Sequence, residues 1–333
     1  MTRKLFLIAF FAITTLTYAQ QRTFFTSSTK TEYNYLESAR QLPQKHVFDL
    51  NLNDLKADLS SAPERNANSR ISSDVISLPN ADGVLESFYV FENSVMDPAL
   101  AARYPEIKSY YGIGIDESGA HIYFSISPLG FKAMTLYPDK SAVFIEPLSQ
   151  DLETYTVYKK SDKKSEFTPF ECSVLDEVSS DMEGANLRPN ADDAVLRTFR
   201  LALSVTGEYT VYFGGTKTLA LAAMNNTMTR VNGVFEKDFS ARMVLIANND
   251  VLIYTSASTD PYSAAASMAN WNKELQNNLT SVIGNANYDI GHLFGATGGG
   301  GNAGCIGCIC VDDTSSTTDL NKGSGYTSPA DGI

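Results

Sequence analysis

YDIGHLFGATGGGGNAGCIGCIC, residues 288–310, opens as a strand over 288–294, passes through a glycine cluster and closes with cysteines at 305, 308 and 310. Residues 299–304 satisfy GxGxxG. That fingerprint holds a dinucleotide only where it follows a first strand and opens a helix whose N-terminus receives the pyrophosphate. Here a β-prone run with another glycine comes next, and no Gly-Lys-Ser/Thr is present, so a nucleotide site is set aside.

Upstream, the apolar spacing alternates between two periods. Met268, Trp271, Leu275, Leu279 and Val282 stripe a helix, expected to start at Asp260-Pro261 with Asp as N-cap and to close at Gly284. Runs 243–247 and 251–254 read as strands around a turn or bulge at Asn248-Asn249-Asp250. Leu221, Met224, Met228, Val231 and Phe235 give an earlier helix one apolar face, with Gly233 suited to its C-terminal end. Phe199, Leu201, Leu203 and Val205 alternate in a first strand ending at Gly207. Strand–helix–strand–helix–strand over 196–333 predicts a three-layer α/β domain with a largely parallel sheet.

Residues 159–195 form a linker, charged and poor in apolar side chains, of the kind proteases cut. Ahead of it, 75–158 reads as strand after strand with one short helix between two prolines. The strand around Leu85, Ser87, Tyr89 and Phe91 is largely apolar on both faces, so it is expected to be well buried. Residues 20–70 read as a leader and an irregular segment, with weak alternation at 46–52 and a short helix-like run after Asn53. The fold class is α+β: a strand-rich domain over 20–158, then an incomplete α/β domain.

Arg3 and Lys4, an apolar run over 5–16 and Thr17-Tyr18-Ala19 make residues 1–19 a secretory signal, too short in its apolar part to span a bilayer. The mature protein is expected to be exported and free of the membrane. Apolar residues make up 43% and the net charge is −12, which fits a soluble globular chain and excludes a phosphate-binding basic face, hence nucleic acid. Four cysteines in an exported protein point to disulfides.

Three pieces of text resemble reprolysin-like metallopeptidases of the metzincin group. They are Tyr288-Asp289-Ile290-Gly291-His292-Leu293-Phe294, the glycine run after it, and Lys322-Gly323-Ser324-Gly325-Tyr326-Thr327-Ser328-Pro329. ISLPNADGVLESFYVFENSVM (76–96) and SPLGFKAM (127–134) look like the pro-domain ahead of bacterial peptidases of this kind. The resemblance implies an exported zinc metalloendopeptidase precursor acting on protein or peptide substrates and released by an activating protease. In that family HExxHxxGxxH follows, and its Glu activates a zinc-bound water against a peptide carbonyl. No such motif precedes Ile333, so the chain is expected to be truncated before it and inactive alone. The alternative is a secreted non-catalytic binding or adhesion protein on a degenerate protease scaffold.

The candidate site residues follow from the resemblance. The segment after the third strand would be an antiparallel edge strand that pairs with an extended substrate, placing Gly304, Cys305, Ile306, Gly307 and Cys308 on the rim; a partnerless glycine loop is the other reading. Cys172, between the domains, would be a pro-segment zinc ligand that holds the enzyme latent; equally, it is a disulfide partner for a clustered cysteine. His292 with Cys305, Cys308 and Cys310 has the composition of a Cys3His zinc site, although export favours disulfides. Glu208 and Asp289 occupy positions like those of calcium ligands in some relatives, or are two exposed carboxylates. His46, His121 and His292 are read as structural.

Overall fold

The computed structural model describes residues 23–66, 68–163, 195–314 and 316–328. Cys172, the signal segment 1–19 and most of the linker lie outside the described residues. Among those described, no helix is long and apolar enough to cross a membrane.

The first body is an antiparallel meander. Its strands are β1 (Phe25–Ser27), β2 (His46–Leu50), β3 (Val75–Pro79), β4 (Leu85–Glu92), β5 (Lys108–Gly114), β6 (His121–Ser127), β7 (Gly130–Leu136), β8 (Val143–Pro147) and β9 (Thr154–Lys159). Helices α1 (Leu52–Leu59) and α2 (Pro98–Arg103) interrupt them. The spatial order is β1-β2-β9-β8-β7-β6-β5-β4-β3, and the sheet curls until Thr23 bridges Ser77 across its two ends. Period-two alternation sends Phe88, Val90, Ile122, Phe124, Phe131 and Ile145 inward, where they pack with Phe25, Phe48, Leu55 and Leu59. Residues 25–27 and 46–50 are therefore sheet members, not an irregular leader; burial of Phe25, Phe48 and Leu50 in this core outweighs their weak local pattern.

The second body is a sheet between two helices. Its elements are β10 (Arg197–Val205), α3 (Gly207–Tyr212), α4 (Lys217–Phe239), β11 (Ala241–Leu245), α5 (Trp271–Val282), β12 (Ile290–Phe294), β13 (Gly300–Asn302) and β14 (Gly325–Ser328). The order is β11-β10-β12-β14-β13, with every neighbouring pair parallel except β13–β14. Leu201, Leu203 and Val205 face α4, while Ala202 faces α5 with Trp271, Leu275 and Leu279. The two sheets with their helices form an α+β chain.

Several local expectations are corrected. Helix α4 runs past Gly233 to Phe239 and ends at Ser240, whose φ is +50°. Gly233 is a contact point: a Cβ there would lie 2.8 Å from the Tyr123 ring of the first body. Residues 251–254 are not a strand. A 3-10 turn at Asn249–Leu252 places the Asn249 amide against β10, accepting from Leu203 N (2.8 Å) and donating to Leu203 O (2.9 Å), as a next strand residue would have done. Asp260 does not cap a helix; it accepts from Gly207 N (2.7 Å) and Tyr262 N (3.1 Å), and α5 begins only at Trp271.

Outside its own core, the first sheet presents Tyr111, Tyr123 and Met134, and α4 lies across them; on that side Phe91 of β4 packs with Tyr111 and Tyr123, which is why β4 is apolar on both faces. The stacking order is first sheet, α4, second sheet, α5.

Candidate functional site

The outermost strand of the second sheet, β13, is three residues of the glycine run. It lies antiparallel on β14, with Gly301 opposite Thr327 and Asn302 opposite Tyr326. Strand β14 in turn lies parallel on β12, with His292 opposite Gly325. Gly300 and Gly301 are buried, and without side chains they let a neighbouring backbone pack closely.

The edge is supported from α5. Asn272 donates to Ser324 O (2.5 Å) and to Asn302 Oδ1 (3.3 Å), and Asn302 Oδ1 accepts from Gly304 N (2.6 Å). Trp271 stands edge-on to Tyr326 with centroids 5.4 Å apart. Its six-membered ring lies against Gly295, where any Cβ would be 2.6 Å from Cη2. Trp271 Nε1 donates to Ser263 O (2.6 Å), so the buried indole is satisfied. Ser328 Oγ donates to Thr297 O (2.6 Å) and ties the end of β14 to the glycine segment.

The residues expected to form this edge do not. Gly304, Cys305, Ile306, Gly307 and Cys308 lie in the connection that follows β13, and the edge strand precedes them at Gly300–Asn302. Two features bend this connection. Gly304 (φ +72°) and Gly307 (φ +78°) adopt left-handed backbone. A disulfide also joins Cys305 to Cys308 with their Cα atoms 5.7 Å apart, whereas three extended steps would span about 10 Å. Ile306 is 58% exposed, and Cys310 is an exposed free thiol. The connection is pinned behind: Cys310 N donates to Asp289 O (3.0 Å), and buried Lys322 reaches Asp312 Oδ1 (2.5 Å) and Asn285 O (2.6 Å) beside the Tyr288 ring.

His292 projects from β12, with Nε2 2.9 Å from Thr327 Oγ1 and Phe294 edge-on 5.5 Å away. Burial holds its pKa down, at about 4. It is a neutral sheet histidine. His121 stacks on Tyr111, whose hydroxyl lies 2.8 Å from Nδ1, and burial lowers its pKa as well.

The described residues do not fit a zinc ion. Among the described residues no group of three or more His, Cys, Asp or Glu is placed to hold a metal. Of the possible Cys3His set, two sulfurs are spent on each other and His292 is held by Thr327. The calcium pairing of Glu208 with Asp289 fails on topology. Strands β10 and β12 are parallel, so Glu208, after one, and Asp289, before the other, stand at opposite ends of the sheet. Asp289 is engaged by Arg200 (2.7 Å), whose hydrogen bonds hold its carboxyl below the usual range against a desolvation that acts the other way. The GxGxxG run opens no helix, in accord with the rejection of a nucleotide site.

Asn272, Asn302 and Thr327 carry the rim and were not singled out from sequence. The available signal was a buried polar side chain one step off the apolar stripe of α5 at Asn272, where an unpaired amide would be costly.

Residues 195–333 match the family model described as metallo-peptidase family M12B, reprolysin-like. No curated protein matches the chain.

Proposed function

Residues 195–333 belong to the reprolysin-like metallopeptidases, and from that premise we propose that the chain is the precursor form of an exported, zinc-dependent protein-cleaving enzyme. Residues 1–19 are its signal peptide, 20–158 its pro-domain, 159–195 the segment an activating protease cuts, and 196–333 the part of the peptidase domain that receives substrate. Strand β9 runs to Lys159 and a 3-10 turn to Asp162, so a cut in that segment would fall beyond them. M12B peptidases are zinc-dependent, which is a statement about the family. The described residues offer no fitting donor set, and HExxH is absent from the sequence, whose histidines are His46, His121 and His292.

The observation that carries the proposal is β13. It is a glycine-bearing antiparallel edge on an otherwise parallel sheet, inside the segment that matches the peptidase family. Such an edge takes an extended peptide as an added strand, with main-chain hydrogen bonds supplying affinity and orientation. The work of these residues is to bind and align the peptide; Asn272 and Trp271 keep the edge straight.

Hydrogen–deuterium exchange on the full chain, with and without excess unfolded β-casein, tests this. Casein is expected to protect residues 299–302 and leave β11 unchanged. Protection confined to other surfaces, or none at all, rejects the rim. Protection by a mature secreted form that never hydrolyses casein would favour the non-catalytic binding protein.

A further inference from the structure

We infer that the first body stays bound to the second after the linker is cut, as a non-covalent subunit seated on α4 and β11. The cut is imposed in the experiment below, so failure here is separable from failure of the peptidase reading.

Helix α4 carries a second stripe that the apolar periodicity does not reveal: Asn226, Arg230, Gly233, Glu236 and Lys237. Ser125 Oγ donates to Asn226 Oδ1 (3.1 Å), Arg230 pairs with Glu146 (2.8 Å), and Lys237 Nζ donates to Tyr137 O (3.2 Å). Glu236, whose side chain is 5% exposed, is the centre. Arg65 of the first body meets it at 2.6 Å, the Tyr123 hydroxyl at 3.3 Å and Arg242 at 3.9 Å, while the Arg65 guanidinium lies 3.6 Å over the Tyr111 ring.

A second contact extends the other body's sheet. Leu245 N donates to Val95 O and Asp97 N to Leu245 O (both 2.9 Å), so residues 95–97 act as one more strand beside β11. Arg242 holds Asn93 Oδ1 (3.1 Å) and Ser94 O (2.9 Å), and Arg103 holds Ala247 O (2.7 Å) and Asp250 (2.8 Å). Beneath them Val95, Met96, Leu100 and Ile107 are buried in the same apolar cluster as Leu203, Met224 and Leu245. That is a core shared between two bodies, the character of a permanent interface rather than a transient one.

A covalent linker supplies only effective concentration, about millimolar for a flexible tether. Cutting it removes none of these contacts. The interface also leaves the substrate edge alone: the polar contacts named here fall on residues 226–250, and β11 and β13 are opposite edges of the sheet. The retained subunit would not cover β13.

A specific protease site inserted into the full chain on the N-terminal side of Cys172 makes the test, because no disulfide can then join the halves. After cutting, the sample is diluted to about 1 μM, roughly a thousandfold below the concentration a tether supplies, and run on a sizing column. Co-elution of the halves is expected; two separate peaks overturn the inference. Glu236→Gln should weaken the cut complex about tenfold or more, since it leaves two arginines facing each other unneutralised. Equal affinity would show that the charge cluster does not secure the seat. If that variant fails to fold uncut, Arg103→Ala, at a half-exposed position, is expected to weaken the complex several-fold, and an unchanged affinity would count against the β11 contact.

Discussion

At the β11 edge of the second sheet the outward backbone groups of Met243 and Leu245 are met. Asn232 of α4 donates to Met243 O and accepts from Met243 N, both at 2.8 Å, and two residues on, Leu245 is taken by Val95 and Asp97. The β13 edge is made of Gly300, Gly301 and Asn302 and is buttressed from beneath through Asn272 and Trp271. An open edge is an aggregation hazard that proteins ordinarily block. One edge is sealed by a helix amide and another body's backbone, while the other is short and built of two glycines and Asn302.

The largest expected effect is on the support of the β13 edge. Trp271→Ala should destabilise the second body by about 4 kcal/mol, through lost burial and the cavity left under Gly295. Thermal unfolding together with exchange rates at β13 and β14 would show it; if β11 loosens as much as β13, the two edges are not independent.

A pH effect of up to about 3 kcal/mol is expected at the same edge. His292 has a folded pKa of about 4 against an ordinary 6.5. The unfolded chain therefore takes up a proton first as pH falls. Stability is full above pH 6.5, declines between 6.5 and 4 by about 1.4 kcal/mol per unit, and is flat below. Denaturant melts across that range should trace this slope, and His292→Gln should flatten it.

At the sealed edge Asn232→Ala leaves the Met243 N–H and C=O buried without partners and should cost about 2 kcal/mol. Melting temperature reports the loss, and faster exchange confined to β11 locates it. The smallest effect tests the contact between the bodies. Gly233→Ala would normally favour a helix by up to about 1 kcal/mol. Here the new methyl meets the Tyr123 ring at 2.8 Å and Met134 at 3.0 Å, so the sign should reverse to a loss of about 1 kcal/mol. A gain in stability would mean that α4 and the first sheet are less closely seated than described.

Local pattern was enough where one period persisted against one partner. Strands β10 and β12, the inward faces of α4 and α5 and the two-sided apolarity of β4 could all be read directly, because burial on one face imposes a period of two or 3.6. It failed where a residue's partner is remote in the chain. Gly233 looked like a helix end because a glycine that makes room for an aromatic ring of another body has the same letter as one that adopts a left-handed cap. Asp260-Pro261 looked like a helix start because a carboxylate that accepts from its own second neighbour and from Gly207 is indistinguishable, in one dimension, from a cap. The edge strand was placed too far along because cysteine and isoleucine favour strands, whereas a disulfide between Cys305 and Cys308 and two left-handed glycines demand a turn.

What the amino-acid order alone determined is thus the central strands β10 and β12, the glycine segment that ends in an edge, and the family text around it, since periodicity and backbone freedom are properties of neighbours in the chain. Which edge the first body closes, the second stripe on α4, and the seat of the first body on the second were decided only by tertiary structure. Those features depend on pairs such as Arg65 with Glu236 and Val95 with Leu245, whose attraction exists only once residues far apart in sequence share one water-poor space.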